Sequence, residues 1–428
     1  MTWQGLTYFL WAGWISFAAA STPAVLWRFN ATNLVQSSPA IGADGSIYFG
    51  AGANDLFGLR PDGTMKWVYR TNQSTAQSGC LAPAVGEDGT IYAGFFRTFL
   101  ALTPEGVLKW SYPRTNFTYL TGRGAALAGD GSVFVAPDSA VVKLAADDGS
   151  VLWRAENSNS QAGWPVLSPS DVLYYGSYHA NVLGYSSDGI RLWSAFNAYL
   201  FNFDPALAFD LTIYGSVRFG LLSLSPLGRT NWIFQCESDP LGSPAIDGVE
   251  DIYFGTRGGW FYAIRPDGTL KWNRQFGSRL NCSPAINGEG MIHLGDQSGN
   301  FYSLRPDGTT NWVLNIGPGA IESSPVIADN GTIYVGCGGH LVAIAGGIPP
   351  AQSAWPMYRH DAQHTGRQSG PPAQAPLLTI NRTPGNGALE VGLSGEAGRA
   401  YTVLSPQTCN IGRLTQICSA LPMRMRSG

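Results

Sequence analysis

A nine-residue unit, LRPDGTMKW at 59–67, constrains this chain more than any other feature. It returns as IRPDGTLKW (264–272) and LRPDGTTNW (304–312), with looser copies LTPEGVLKW (102–110), YSSDGIRLW (185–193) and LSPLGRTNW (224–232). The tryptophans that end such strands are Trp27, Trp67, Trp110, Trp153, Trp193, Trp232, Trp272 and Trp312, spaced 39 to 43 residues apart. Two further markers keep the same period. One is an apolar stretch around Ser-Pro-Ala, as in SSPAIG (37–42), GSPAID (242–247) and CSPAIN (282–287). The other follows a tight turn, as in DGSIYFG (44–50), DGTIYAG (88–94) and NGTIYVG (330–336).

Each period therefore holds four short strands: the Ser-Pro-Ala strand, the Ile-Tyr strand, an apolar strand such as LFGLR, and the Trp strand. The connections carry Asp-Gly and Pro-Asp-Gly, which supply the positive φ and fixed φ that tight turns require. Four strands per ~40–45 residues is the signature of a propeller blade. The count is eight. The eighth blade begins at Ser323 and stops after HLVAI (340–344), with no Trp strand to follow, while VLWRF (25–29) is a Trp strand with no blade before it. The amino-terminal strand is expected to complete the last blade, because closure removes the free sheet edges of the ring. The expected fold is all-β: an eight-bladed β-propeller of four-stranded blades, closed by the N-terminal strand, with a short C-terminal β-rich extension. One Trp per blade reads as a packing wedge, since burying an indole contributes at most roughly 4–6 kcal/mol.

Composition agrees with a turn-rich β protein. Gly and Pro supply 81 of 428 residues, charged residues are 13% and aromatics 12%. A net charge of −3 offers no footprint for nucleic acid. The first 27 residues hold no charge, and Tyr8–Ala20 is a mostly apolar run of thirteen ending in Ala18-Ala19-Ala20. That reads as a signal peptide over 1–20, although a basic n-region is missing, and it predicts an exported protein: periplasmic, cell-surface or secreted. No other stretch could span a bilayer. Six cysteines show no C-x-x-C spacing; Cys409 and Cys418 could close a small loop, and the other four read as small buried residues.

At these repeats the chain resembles the pyrroloquinoline-quinone-type family of eight-bladed propellers, and KLAADDGSVLW (143–153) carries that family's longer turn before the Trp. The resemblance covers 21–346. It implies an architecture shared by quinone-dependent alcohol dehydrogenases, by the propeller lipoprotein of the outer-membrane barrel-assembly machine, and by exported proteins without assigned activity. A quinone dehydrogenase needs a divalent cation, a catalytic carboxylate and cations for the cofactor's carboxylates. The eight inner strands offer two acids, Asp204 and Asp247, and no Lys or Arg, and no two cysteines are adjacent. No cofactor is therefore expected. WPMYRHDAQHTGR (355–367) is similar to a short signature found beside such repeats in exported bacterial proteins.

Other site candidates are few. His360 and His364 stand four apart, which on a helix would place both rings on one face for a metal, but Pro356 and Gly366 bracket a segment short for a helix. The connections NFTYLTGR (116–123) and FNAYLFNFD (196–204) are rich in aromatics, and Tyr119, Arg123, Tyr199 and Phe201 are candidate contacts for a sugar or an extended peptide. Residues 347–376, with GGIPPAQS and SGPPAQAP, read as a linker carrying the WPMYRHDAQHTG segment. Residues 377–428 read as a truncated or poorly ordered β-sandwich-like extension. The expected role is a monomeric binding scaffold for a protein or carbohydrate, without catalysis. The alternatives are a carbohydrate-active or degenerate quinoprotein enzyme, and an envelope-assembly factor.

Overall fold

The computed structural model describes residues 23–71, 82–95, 97–113, 124–136, 140–156, 162–177, 181–196, 204–369, 377–382 and 389–394. Eight four-stranded antiparallel sheets form the blades of a propeller. Blade 1 is Ala40–Ile41, Ile47–Ala51, Asp55–Leu59 and Met65–Arg70, from the hub outward. Blades 2 to 7 repeat this order over 84–113, 126–156, 162–196, 206–235, 245–275 and 285–315. Blade 8 takes three strands from 326–344, and its outer strand is Val25–Asn30, with Val25 opposite Ile344 and Trp27 opposite Ala343. The ring is closed by the two ends of the repeat array, as the sequence predicts.

Burial follows position in the blade. Second and third strands are covered on both faces and read as runs of buried residues, whereas outer strands alternate. Every outer strand skips one residue in register just before its Trp, as at Gly58/Leu59 opposite Met65 and Trp67. Such a bulge bends the edge and re-aims the neighbouring side chains. In blades 1 and 2 it lets Lys66 and Lys109 reach the first turn of their own blade, where Nζ lies 3.3 Å from Asp44 and 3.4 Å from Asp88. Charge on an edge strand discourages edge-to-edge pairing.

The tryptophans lock neighbouring blades together. Seven indoles donate Nε1–H to a carbonyl in the turn that precedes the outer strand of the next blade at 2.8–3.0 Å, from Trp27 to Pro61 around to Trp272 to Pro306. The same turn must bring backbone onto the indole. Gly63 has φ +85°, and a Cβ there would sit 2.6 Å from the Trp27 ring, so both the conformation and the contact require glycine.

The second unit of the chain begins at 372. It contains an antiparallel pair, Leu377–Arg382 with Leu389–Ser394. Residues 1–20 lie outside the described part. Among the described residues no helix is long and apolar enough to cross a membrane.

Candidate functional site

Antiparallel connectivity puts the first and third turns of each blade at one mouth of the hub, and the second turn and the blade-to-blade connection at the other. Inner strands are two residues long in seven blades, and each turns its open edge to the axis. Buried backbone groups on that edge need partners.

At the first mouth the chain supplies them itself. Residues 347–376 read as a linker from their Pro/Gly content, but residues 349–368 bond to the inner edges of seven blades. The amides of Ile41, Val85, Leu127 and Leu167 donate to the carbonyls of Ala362, Gln363, Thr365 and Gly366, and those of Ile246 and Ile286 to Trp355 and Pro356, all at 2.7–2.9 Å. Gln368 reaches blade 5 through Nε2 and the Ala208 carbonyl. Met357 and Ala362 join the apolar cluster of blade 8 with Val326 and Ile327. Equivalent amides of six blades, in the residue after each Pro-Ala or its counterpart, thus bind one strap. Bending the strap round the axis places Arg359, His360 and His364 at positive φ, a conformation that non-glycine residues hold only when packing enforces it.

Arg359 anchors the strap. The side chain is 2% exposed. Its Nη1 donates to Pro165 O at 2.7 Å and its Nη2 to Ala125 O, joining blades 4 and 3, and its guanidinium lies 5.5 Å from the Trp164 ring. Burial lowers its pKa, against the opposing fields of Tyr358, Asp204 and Asp361. Burial would raise the Asp361 carboxyl, but hydrogen bonds from His360 and Thr365 outweigh it and hold the group below the usual range. Arg367 pairs with Asp171 of blade 4 at 2.7 Å.

The two strap histidines face separate partners. His360 meets Asp361 Oδ2 at 3.2 Å and Ser369 Oγ at 3.4 Å, and His364 Nδ1–H donates to Pro83 O at 3.1 Å. Burial pushes His364 down to about 4, so it is neutral near pH 7. Among the described residues no group of three His, Cys, Asp or Glu side chains could hold a metal ion.

At the second mouth the residues before the inner-strand prolines, or their equivalents, form a ring: Ser38, Ala82, Gly124, Trp164, Asp204, Ser243, Ser283 and Ser324. Blades 6, 7, 8 and 1 make a belt there. The amides of Ser243, Ser283 and Ser324 donate to the hydroxyls of Ser283, Ser324 and Ser38 at 2.8–3.0 Å. Blades 2 to 5 break the belt with Ala82, Gly124, Trp164 and Asp204. Trp164 leans over Gly124, where a Cβ would meet it at 2.7 Å. Tyr119, Arg123, Tyr199 and Phe201 lie outside the described residues. At the same mouth, an open cleft of about 680 Å³ between blades 6 and 7 carries Arg257 and Arg279, which the repeat pattern did not single out.

The inner-strand acids differ in role. Asp247 is a turn residue, accepting from the amides of Val249 and Asp251 and from Tyr253 Oη at 2.9 Å. Asp204 is buried beside the strap. Among the described hub residues, the cation Arg359 is committed to two carbonyls, and no carboxylate cluster offers a divalent-cation cage. That donor set does not fit the quinone and its metal ion.

The sequence matches no family model and no curated protein. By structure the chain is similar to BamB from Moraxella catarrhalis, at 17% identity and a TM-score of 0.61 over 76% of this chain and 98% of that one. It is similar also to the computationally designed Ika8 protein, at 11% identity and 0.64, over 76% of this chain and 100% of that one. Virginiamycin B lyase from Staphylococcus aureus aligns at 12% identity and 0.50, over 74% of this chain and 98% of that one. At such identities the likeness is one of fold.

Proposed function

We propose that this propeller is an exported binding scaffold that recognises a protein or carbohydrate partner at its second mouth. The observation that carries the reading is the sealing of the first mouth: the chain's own strap occupies the inner edges there, so the hub is presented through the blade-to-blade connections opposite. Those connections include the aromatic stretches with Tyr119, Arg123, Tyr199 and Phe201, whose composition suits stacking on a sugar or a peptide. The test screens the mature chain on a glycan array and by crosslinking in envelope extracts, beside a Tyr119→Ala/Tyr199→Ala variant. The reading expects a saturable partner that the variant loses without a change in melting temperature. Equal binding by the variant, or no partner in either screen, opposes it.

An envelope-assembly role is the second reading, favoured by the shared fold with BamB. It expects the crosslinked partner to be a protein of the envelope rather than a glycan. A quinoprotein role expects a thermal shift with pyrroloquinoline quinone and Ca²⁺, which the hub's donor set argues against.

A further inference from the structure

The ring has one irregular joint. Between blades 7 and 8 the turn that should cover Trp312 is interrupted, because the third and outer strands of blade 8 come from opposite ends of the chain. Ala345 N–H still donates to Ala24 O at 2.9 Å, as Arg60 does to Thr64 O in blade 1, but residues 346–348 then leave for the strap. Trp312 Nε1 consequently makes no hydrogen bond among the described residues, unlike its seven counterparts. A cavity of about 240 Å³ lies against the indole, room for roughly eight waters.

The blade's own sequence enlarges this cavity. Against each Trp the second strand packs a ring: tyrosine in six blades, Phe134 in blade 3 and His293 in blade 7. In blade 6 the Tyr253 phenol reaches Asp247 Oδ2. In blade 7 Asn287 replaces that aspartate and its Oδ1 accepts the same two turn amides, from Glu289 and Met291. The imidazole is shorter than a phenol, and Asn287 Nδ2 makes no hydrogen bond among the described residues. His293 Nδ1 and Ser303 Oγ are likewise buried without partners, and both residues line the cavity. Asn311 completes the wall, and the charge among the lining side chains is Glu289 at the exposed rim.

An aromatic wall with a free N–H, an amide, a hydroxyl and a neutral imidazole, with no cation, suits a small uncharged ligand rich in hydroxyls. Buried polar atoms without a protein partner take one from a ligand of this kind or from water. We propose that this seam cavity binds a single monosaccharide ring, stacked on Trp312 and hydrogen-bonded by His293, Ser303 and Asn287. The site opens at the first mouth's side of the ring, so it is independent of the partner face argued above.

The test titrates the full chain with glucose, N-acetylglucosamine and myo-inositol while following the indole N–H resonances, with Trp312 assigned through Trp312→Phe. One of the three is expected to shift the Trp312 signal saturably. His293→Tyr installs the residue six other blades carry, so it is expected to fold with an equal or higher melting temperature and to abolish binding. Ser303→Ala is expected to weaken binding roughly tenfold, the loss of one hydrogen bond. No saturable shift with any of the three, or an unchanged shift in His293→Tyr, overturns the proposal. So does an indole proton already protected from exchange without ligand and exposed in a chain starting at Ala24, which would make the amino end itself the occupant.

Discussion

Replacing Arg359 with alanine tests whether the strap is a structural part of the ring. The guanidinium holds two buried carbonyls, Pro165 O at 2.7 Å and Ala125 O, and lies over Trp164. Each charge-assisted bond contributes about 1.5–3 kcal/mol, and the desolvated cation–π contact about 1–2 kcal/mol. Burying the cation opposes this by several kcal/mol. Alanine recovers that cost but orphans two carbonyls at about 1–3 kcal/mol each. It also leaves Asp204 and Asp361 without the facing charge. The net loss expected is about 3–5 kcal/mol, as for a buried charge whose partner is removed. Arg359→Lys keeps the charge without the fork, reaches one carbonyl and should lose about half as much. Equilibrium urea unfolding followed by tryptophan fluorescence reads all three proteins, with stability falling from wild type to Arg359→Lys to Arg359→Ala. A loss under about 1 kcal/mol for Arg359→Ala would mean that water replaces the guanidinium, and that the strap is not closed over the hub.

Trp110→Phe removes the N–H that donates to Ala146 O at 2.8 Å in the next blade and should cost about 2–3 kcal/mol in the same assay. Burial pushes His293 and His364 down to about 4. The unfolded chain, with an ordinary histidine pKa near 6.5, therefore takes up the extra protons. Stability should be full above that value and fall toward pH 4 by about 3 kcal/mol per histidine, and His364→Asn should flatten the urea midpoint's pH profile. Burial raises Cys236 to about 12 and Cys282 to about 11, so neither should react with iodoacetamide at pH 8 until urea unfolds the ring.

The blades were legible because their chemistry is local. Asp-Gly and Pro-Asp-Gly fix the turns, and the unmatched VLWRF strand at one end answers the missing strand after Ile344 at the other. The tryptophans were legible as wedges, but their N–H bonds to the following blade depend on a contact some 33–37 residues away that no local pattern encodes. The strap was not legible as structure. Its prolines and glycines signal an irregular backbone, and an irregular backbone is what a chain needs to follow a circle of strand edges. The four-residue spacing of His360 and His364 would serve a metal only on a helix; both adopt left-handed φ, and His360 bonds within the strap to Asp361 and Ser369 while His364 bonds to Pro83 O of blade 2. Arg359 beside them went unnoticed, although the apolar AWPMY before it hinted at burial. The seam cavity was open to reading: His293 stands where six blades carry tyrosine, a departure visible in EGMIHLG against DGTIYAG.

Native-state hydrogen exchange of the full-length chain tests the sealed mouth most directly. The amides of Ile41, Val85, Leu127, Leu167, Ile246 and Ile286 point into the hub and have the strap's carbonyls as acceptors. The account predicts that all six exchange as slowly as mid-blade amides such as that of Tyr48, opening only with the ring. Exchange at the rate of exposed loop amides would contradict it, because the strap would then be detached and both mouths open.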